Sequence, residues 1–389
     1  MASLTVSRLR FENWRNFRSV DVQVPRRVFL VGPNAAGKSN FLDIMRFLHD
    51  IVSIGGGLQE AVRRRGGVSM LRCLAARQSS DIAIEVTIGS EDDRAEWQYE
   101  LAFSHDPNSK DRRPLVKSER VSHRGQIILS RPTSEDEKDR ELLTQTHLEQ
   151  VNANRQFREI AEFFASIRYL HIVPQLVREP DRVSTNKGIR YDPYGSDFLD
   201  RMAQTSTKKR AAWLKRINEA LKVAVPQLSE LELYPDTRGK WHLRAKYQHW
   251  RPHGAWQEEN AFSDGTLRLL GLLWALLDGN GPLLLEEPEL SLNAAVVRQI
   301  PQMFNRVQRR SKRQIFVSTH SPDLLADEGI GMNEVLILVP GAEGTSVRSA
   351  GDLSTVRDLV EGGIGLGEAV RPHAAPAHPE QLRVFGDYS

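Results

Sequence analysis

The chain has little of three features that often reveal a protein's class: cysteine, long apolar runs and net charge. Its 389 residues contain one cysteine, Cys73, which excludes an internal disulfide framework and a cysteine-based zinc site. The longest apolar stretch, Leu267 to Leu277, is interrupted by Arg268 and is too short to span a bilayer. The first residues form no apolar signal core. We therefore expect a soluble, cytoplasmic protein with no membrane partner.

The charge is nearly balanced, with 53 basic and 50 acidic side chains and a net charge of +3. A balance this close does not identify a nucleic-acid-binding protein, so any basic surface must come from local clusters. Internal repeats and low-complexity tracts are also missing. For this length and composition we expect a globular protein of two or three domains, or one large elaborated domain.

The hydrophobic pattern changes twice along the chain. A solid apolar run at 28–31, a Gly-rich turn and a helical spacing at 40–48 predict the first half of a βαβ unit. Buried-strand patterns return at 283–285, 314–317 and 335–339. In the region between, the patterns predict an antiparallel meander with strands at 82–88, 97–103, 117–123 and 126–129. They also predict a capping box at 134–137, a helix at about 196–223 and a flexible tail at 371–379. The sequence thus predicts an α/β fold split by a mixed β-meander and helical insertion. The expected segments are 1–52 and 261–340 for the two halves of the core, 53–260 for the inserted lobe, and 341–389 for a C-terminal extension and tail.

A phosphate-binding loop follows the first buried strand. Its pattern is G-x-x-x-x-G-K-[ST], and it stands between a strand and a helix, as this motif requires. Backbone N–H groups of such a loop surround phosphate oxygens, Lys38 can bridge the β- and γ-phosphates, and Ser39 can hold Mg²⁺. We expect ATP and Mg²⁺ as cofactors. The predicted nucleotide-binding residues are Gly32, Pro33, Asn34, Ala35, Ala36, Gly37, Lys38, Ser39 and Asn40.

Two adjacent acids end the buried strand at 283–285. Neighbouring residues on a strand point to opposite sides, so Glu286 is predicted to face Mg²⁺ and Glu287 to polarise the attacking water. An ordinary acidic loop after a core strand is the alternative for this pair alone. A Ser-Asp-Gly-Thr turn at 263–266 precedes the strand, and His320 follows another buried strand.

This ordered set resembles the ABC-type ATPase heads, with their Walker A, signature, Walker B, D-loop and switch-histidine motifs. Within that class it is most similar to the SMC/RecF/OLD branch of AAA-like ATPases, which the opening stretch Leu9 to Arg18 also resembles. The resemblance covers 1–50 and 260–340 well and the middle poorly. It implies a P-loop NTPase ABC-type head that hydrolyses ATP to ADP and phosphate, with Glu287 and His320 as catalytic residues and Ser39 and Glu286 at the metal.

The resemblance also implies that the signature acts across a dimer. Two heads, or a higher even number, would pair through sandwiched ATP, with turnover slow until a partner aligns them. The signature residues expected to act in trans are Ser263, Asp264, Gly265 and Thr266. Two points depart from the family pattern: Glu286 replaces the commoner Asp, and the segment Glu289–Asn293, which stands where the family has its D-loop, lacks the usual His-Pro ending. The Q-loop glutamine stays open, with Gln78 and Gln59 as candidates.

DNA is a candidate partner, and solvated charged faces are the alternative for the basic clusters. The clusters are Arg63–Arg65, Lys208–Arg210 with Lys215 and Arg216, and Arg309–Arg313. Trp241, Trp250 and Trp256, near Arg244 and Arg251, are candidates for base stacking or for the core of the lobe.

Three functions remain open from the sequence. The first is an ATPase that couples its nucleotide state to DNA or to an effector protein, in DNA repair or anti-phage defence. The second is a non-catalytic, ATP-bound scaffold, and the third is a transporter ATPase subunit. OLD-type relatives often carry a Toprim nuclease, but no D-x-D follows the strand at 335–339, so a nuclease or toxin is expected on a separate chain.

Overall fold

The computed structural model describes residues 4–76, 81–109, 112–179, 192, 194–248 and 255–375. Gln78, Trp250, Arg251 and the tail beyond residue 375 lie outside the described residues. The strands are β1 (Thr5–Trp14), β2 (Phe17–Gln23), β3 (Arg27–Val31), β4 (Ile82–Gly89), β5 (Trp97–His105), β6 (Pro114–His123), β7 (Gln126–Arg131), β8 (Arg168–Leu170), β9 (Leu228–Pro235), β10 (Trp241–Tyr247), β11 (Ala255–Glu258), β12 (Leu283–Glu286), β13 (Ile315–Thr319), β14 (Val335–Val339) and β15 (Ser346–Ser349).

Helices occupy much of the remaining described chain, together with short 3₁₀ turns. The helices are α1 (Lys38–Val52), α2 (Leu58–Arg63), α3 (Val68–Leu71), α4 (Ser134–Lys138), α5 (Arg158–Ala165), α6 (Pro174–Arg178), α7 (Phe198–Gln204), α8 (Thr207–Ala224), α9 (Asp264–Leu277), α10 (Ala294–Val297), α11 (Ile300–Ser311), α12 (Ser354–Glu361) and α13 (Leu366–Ala374). Among the helices of the described ranges, none combines the length and the apolar character that crossing a bilayer requires.

The described chain divides into two units. The first takes residues from 1–167, 280–284 and 311–389, and the second takes residues from 168–279 and 285–310. Each unit is made of separate stretches of chain that pack together, whereas each predicted segment is one continuous stretch. The boundaries of the four predicted segments therefore stay a prediction.

The first unit contains an antiparallel sheet with the strand order β2-β1-β4-β5-β6-β7. In β4 and β5, buried side chains alternate with half-buried ones, and the register pairs Ile84 with Leu101 and Val86 with Tyr99. Alternation of this kind places one face of the sheet against a core. The predicted meander at 82–129 is thus present, and each of its four strands extends one to three residues beyond one of its predicted ends.

A second sheet of the first unit carries the phosphate loop. Its strand order is β15-β14-β3-β13-β12, where β12 contributes Leu283 and Leu284. β13 and β14 both run parallel to β3, and all five residues of β3 are buried. A strand covered on both faces reads as a continuous apolar run, which is why the sequence revealed it.

The second unit contains the antiparallel sheet β11-β10-β9 and the helix α9. Nine of the fourteen residues of α9 are buried, including Trp274, whose ring lies edge-on to Trp213 at 5.0 Å between centroids. The end of β12, Leu285 and Glu286, also belongs to this unit, where β8 is the neighbouring strand.

Local predictions were wrong in three places. The expected helix at 196–223 is two helices, α7 and α8, separated by Thr205 and Ser206. The capping box at 134–137 is shifted by one residue, because Thr133 caps α4 and Asp136 returns the bond. Residues 371–374, which were expected in a flexible tail, complete α13, with Pro372 inside the helix.

A buried ionic cluster holds the outer end of the antiparallel sheet in the first unit. Arg131 on β7 donates to Glu119 at 3.1 Å and to Asp136 at 2.6 Å, and Arg131 and Glu119 have no exposed side-chain surface. Glu119 also accepts from the backbone N–H groups of His147 and Leu148 and from the Tyr99 hydroxyl. Burial acts to raise the pKa of Asp136, but Arg131 and Thr133 outweigh it and lower that pKa to about 2. A single guanidinium thus pairs with both buried carboxylates.

We expect Arg131→Met to destabilise the protein strongly, because it leaves two carboxylates buried without their cation. Loss of one member of such a cluster costs about 3–5 kcal/mol in the free energy of unfolding. Chemical denaturation would measure the change. Arg120→Met is the matched control, since Arg120 lies on β6 with half of its side chain exposed, opposite Glu100. Equal stabilities of the two variants would contradict the structural role of the cluster.

Candidate functional site

The phosphate loop lies between β3 and α1 in the first unit. Gly37 has φ of 96°, a left-handed conformation that favours glycine, and α1 begins at the next residue without a side-chain cap. Lys38 is buried, and its Nζ donates to the carbonyl oxygens of Gly32 at 3.0 Å and Pro33 at 3.2 Å. An uncapped helix N-terminus beside a lysine ammonium is suited to bind a phosphate anion.

The last residue of β1 and the two residues of the turn to β2 hold this loop and its helix. Asn16 donates to the carbonyl oxygen of Ala36 at 2.9 Å and accepts from the side chain of Asn40 at 2.8 Å. Trp14 donates to the carbonyl oxygen of Asn40 at 3.0 Å, and Arg15 pairs with Asp43 of α1 at 2.9 Å. A Cβ atom on Gly37 would lie 2.2 Å from the Asn16 amide nitrogen, so this packing also requires glycine there.

His320 follows β13 and reaches the same lysine. Its Nε2 lies 2.7 Å from Lys38 Nζ, and both residues belong to the first unit. A lysine ammonium can only donate, so in this contact the ring nitrogen is the acceptor. The structure therefore brings together Lys38 and His320, two residues separated by 282 positions in the sequence.

The two predicted acids lie in the second unit and have different backbone conformations. Glu286 is the last residue of β12, and its carboxylate accepts a hydrogen bond from the hydroxyl of Tyr169, a buried residue on β8. Glu287 lies beyond the strand with φ of 43°. The alternation argument is therefore wrong for Glu287, because a turn and not a strand sets its direction.

The signature turn is also in the second unit and starts α9. Ser263 caps the helix by accepting from the backbone N–H of Thr266, and the two hydroxyls lie 2.8 Å apart. A Cβ on Gly265 would approach the carbonyl oxygen of Ser291 to 2.4 Å, so the turn packs directly on the loop after β12. In that loop Asn293 caps α10 by accepting from Ala295, which gives this departure from the family pattern a structural role.

Arg178, at the end of α6, contacts the signature turn from the same unit. Its Nη2 donates to Asp264 at 2.6 Å and to the carbonyl oxygen of Phe262 at 2.7 Å. Sequence reasoning missed Arg178, Tyr169 and Asn16. Asn16 lies within the opening stretch that resembles the SMC/RecF/OLD branch, which was the available signal. No local pattern marks the other two, because each is identified only by a contact about 85 or more positions away.

The remaining glutamine candidate has a structural role. The side-chain nitrogen of Gln59 donates to the carbonyl oxygens of Pro114 at 2.9 Å and Thr144 at 2.7 Å. Within the described part of the chain, no group of three or more His, Cys, Asp or Glu residues forms a ready metal cluster. A divalent cation at this site would need phosphate oxygens or water among its ligands.

Two of the predicted basic clusters each contain an arginine that is buried or nearly buried in the protein. Arg65 is bound to Asp43 and Asp50 at 2.8 Å each and is nearly buried. Arg313 is fully buried and donates to the carbonyl oxygen of Gly281. Both are thus excluded as DNA contacts, since their donors face other protein groups.

The cluster on α8 remains largely at the surface. Lys208, Lys209, Lys215 and Arg216 are exposed there. Arg210 lies over the ring of Trp241, which is half-buried, so this tryptophan contributes to packing of the lobe. Trp256 is 42% exposed, with Arg244 over its ring at 4.6 Å.

Comparison with known proteins agrees with this geometry. The family model described as "AAA domain, putative AbiEii toxin, Type IV TA system" matches residues 27–326. A solved SMC head bound to the C-winged helix domain of ScpA is 14% identical, with 88% of this chain and 97% of that chain covered and a TM-score of 0.54. No curated protein matches the sequence.

Two further SMC heads show the same fold. The head with an extended coiled coil from Pyrococcus furiosus, bound to the C-terminal domain of ScpA, is 12% identical over 92% of this chain and 100% of that one, with a TM-score of 0.50. The head with a coiled coil and joint from Pyrococcus yayanosii is 12% identical over 89% and 97%, also with a TM-score of 0.50.

The fold and the phosphate loop define an ABC-type P-loop NTPase head of the kind found in SMC proteins. The predicted α/β fold class and the family resemblance are confirmed. Because the family model matches more than half of the sequence, the chain belongs to this AAA-domain family.

We expect Asn16→Ala to weaken ATP binding about tenfold, since it removes the hydrogen bonds that join the loop to α1, each worth about 1 kcal/mol. Titration with a fluorescent ATP analogue would measure the affinity. Asn108→Ala, in the exposed loop between β5 and β6, should bind as the unaltered protein does. Unchanged affinity of Asn16→Ala would show that the loop holds its shape without this side chain.

Proposed function

We propose that this protein binds Mg-ATP in its phosphate loop, hydrolyses it to ADP and phosphate, and uses the nucleotide state to control a DNA or protein partner. The loop itself carries this proposal. Gly37 has the left-handed backbone, α1 begins uncapped, and Lys38 is buried with its ammonium at the loop carbonyls and His320. A lysine ammonium beside an uncapped helix N-terminus is suited to balance the negative charge of a bound phosphate.

Each predicted residue takes one role in this proposal. Lys38 and His320 would contact the γ-phosphate, and Glu287 would orient and polarise the water that attacks it. Ser39 and Glu286 supply the hydroxyl and carboxylate oxygens that Mg²⁺ prefers, and the bound ion would neutralise phosphate charge. Tyr169 would fix the direction of the longer Glu286 side chain through its hydrogen bond.

The signature turn would complete the site of a second copy. At the N-terminus of α9, Ser263 is exposed and Gly265 is half-buried, whereas Thr266 is buried. A helix N-terminus that is open at Ser263 and Gly265 suits the γ-phosphate of a facing subunit. Two copies would then pair around two ATP molecules, as a homodimer or a higher even oligomer. Hydrolysis would be slow until a partner aligns the two heads.

The partner is proposed from chemistry and from the relatives. The exposed basic residues of α8 suit a nucleic-acid backbone. Two of the similar SMC heads are bound to domains of ScpA, and the family description names a toxin–antitoxin system. A separate effector protein, in DNA repair or in anti-phage defence, is therefore the second partner to test.

We expect Lys38→Ala to abolish nucleotide binding, because the loop then lacks the cation that balances the phosphates. Isothermal titration with Mg-ATP would measure binding. Lys138→Ala, on exposed α4, is the matched control and should bind normally. Normal affinity of Lys38→Ala would place the nucleotide elsewhere.

We expect Glu287→Gln to lower the rate of hydrolysis at least about 100-fold while ATP still binds, because the amide cannot accept a proton from water. The variant should accumulate an ATP-dependent dimer, visible by analytical ultracentrifugation. Glu137→Gln, on exposed α4, is the control. Hydrolysis at the normal rate would show that Glu287 is not the base, and an absence of turnover in the unaltered protein with DNA and partners would favour the scaffold.

A further inference from the structure

The signature turn carries a negative charge, although in the proposed function it must attract a negatively charged triphosphate. Asp264 is the first residue of α9, and its side chain is 43% exposed. A carboxylate at that position is favourable for the helix itself, because it faces the positive end of the helix dipole. It is unfavourable for a turn that meets a triphosphate, since like charges that are brought together across an interface cost several kcal/mol.

Arg178 supplies the opposite charge at this point. Its Nη2 lies 2.6 Å from Asp264 Oδ1, and only 20% of its side chain is exposed. Among the described residues, Arg178 is the one cation within ion-pair distance of Asp264. The same nitrogen donates to the carbonyl oxygen of Phe262, so the guanidinium spans the start of the helix and the chain before it.

The chain before the turn has a second anchor that does not involve Arg178. Glu259 is buried, accepts from the backbone N–H of Leu243 at 2.9 Å and pairs with His242 at 2.8 Å. Ser263 and Thr266 stabilise the start of α9 by their own hydrogen bonds. Removal of Arg178 should therefore leave the turn folded and take from Asp264 its hydrogen-bonded cation, with only the electrostatic interaction with Arg268, one turn further along α9, remaining.

We propose that Arg178 is a positioning residue for the site formed in trans. By neutralising Asp264, it allows the Ser263–Thr266 turn to approach the γ-phosphate of the ATP held by a second copy of this chain. This inference rests on the proposed function. It assigns to Arg178 an effect on dimerisation and none on the binding of ATP by a single copy.

The test uses the Glu287→Gln protein, with Arg178→Met, Asp264→Ser and both changes together. Dimer dissociation constants are measured by ultracentrifugation with Mg-ATP, and ATP affinity is measured at a protein concentration where the chain is monomeric. We expect Arg178→Met to weaken the ATP-dependent dimer by about tenfold or more with unchanged ATP affinity. Adding Asp264→Ser to Arg178→Met should remove the repelling charge and strengthen the dimer to the level of Asp264→Ser alone. The defect of Arg178→Met should also shrink as salt is added, because salt screens the repulsion.

A matched pair in the first unit controls for the loss of an ion pair. Arg8 and Asp21 are both exposed and joined at the surface of β1 and β2, so Arg8→Met and Asp21→Ser should leave dimerisation unchanged. Circular dichroism verifies that each variant is folded.

Two results would overturn the inference. One is normal dimerisation of Arg178→Met, and the other is a double variant as weak as Arg178→Met, which would mean that the guanidinium acts by a route other than neutralising Asp264. If Glu287→Gln alone forms no ATP-dependent dimer, the proposed function itself fails, and that failure is seen before any change at Arg178 is made.

Discussion

A loop that binds a triphosphate must hold a curled backbone in place although it contains few apolar side chains. Here the loop is fixed at its ends, by a strand buried along its whole length and by a helix with nine buried residues. Between those ends Asn16 bonds to the loop and to α1, while Lys38 bonds to the loop carbonyls. The rest of the first unit supports these contacts, because the turn that presents Asn16 depends on the pairing of β1 with β2 and β4.

Arginine shows how little composition says about the role of a residue. Arg131 is fully buried between two carboxylates and stabilises the sheet, and Arg65 bridges two acids of α1. Arg178 pairs with one carboxylate at the start of α9 and stays partly exposed. The same guanidinium thus stabilises the fold in one setting, and in the other we propose that it sets the charge of a binding surface. Burial and the identity of the partner distinguish these settings.

The second unit positions its polar residues by turns more than by regular structure. Glu286 ends β12 and is held by Tyr169, but Glu287 already has a left-handed backbone. Gly265 permits the signature turn to pack against the carbonyl oxygen of Ser291. These details are compatible with a fold shared with SMC heads at 12–14% identity, since the layers of a fold depend on hydrophobic pattern and tolerate most side-chain changes.

The amino-acid sequence alone determined the α/β class, the phosphate loop and the order of motifs, because these depend on short-range patterns: a solid apolar strand, a Gly-rich turn and the residues that directly follow them. It also located most strands of the meander. It could not reveal the hydrogen bonds of Asn16 to the phosphate loop, of Tyr169 to Glu286 and of Arg178 to Asp264. Nor could it exclude Arg65 and Arg313 as DNA contacts. Only the tertiary structure decided these, since each is a contact between side chains or backbone groups that no local periodicity brings together.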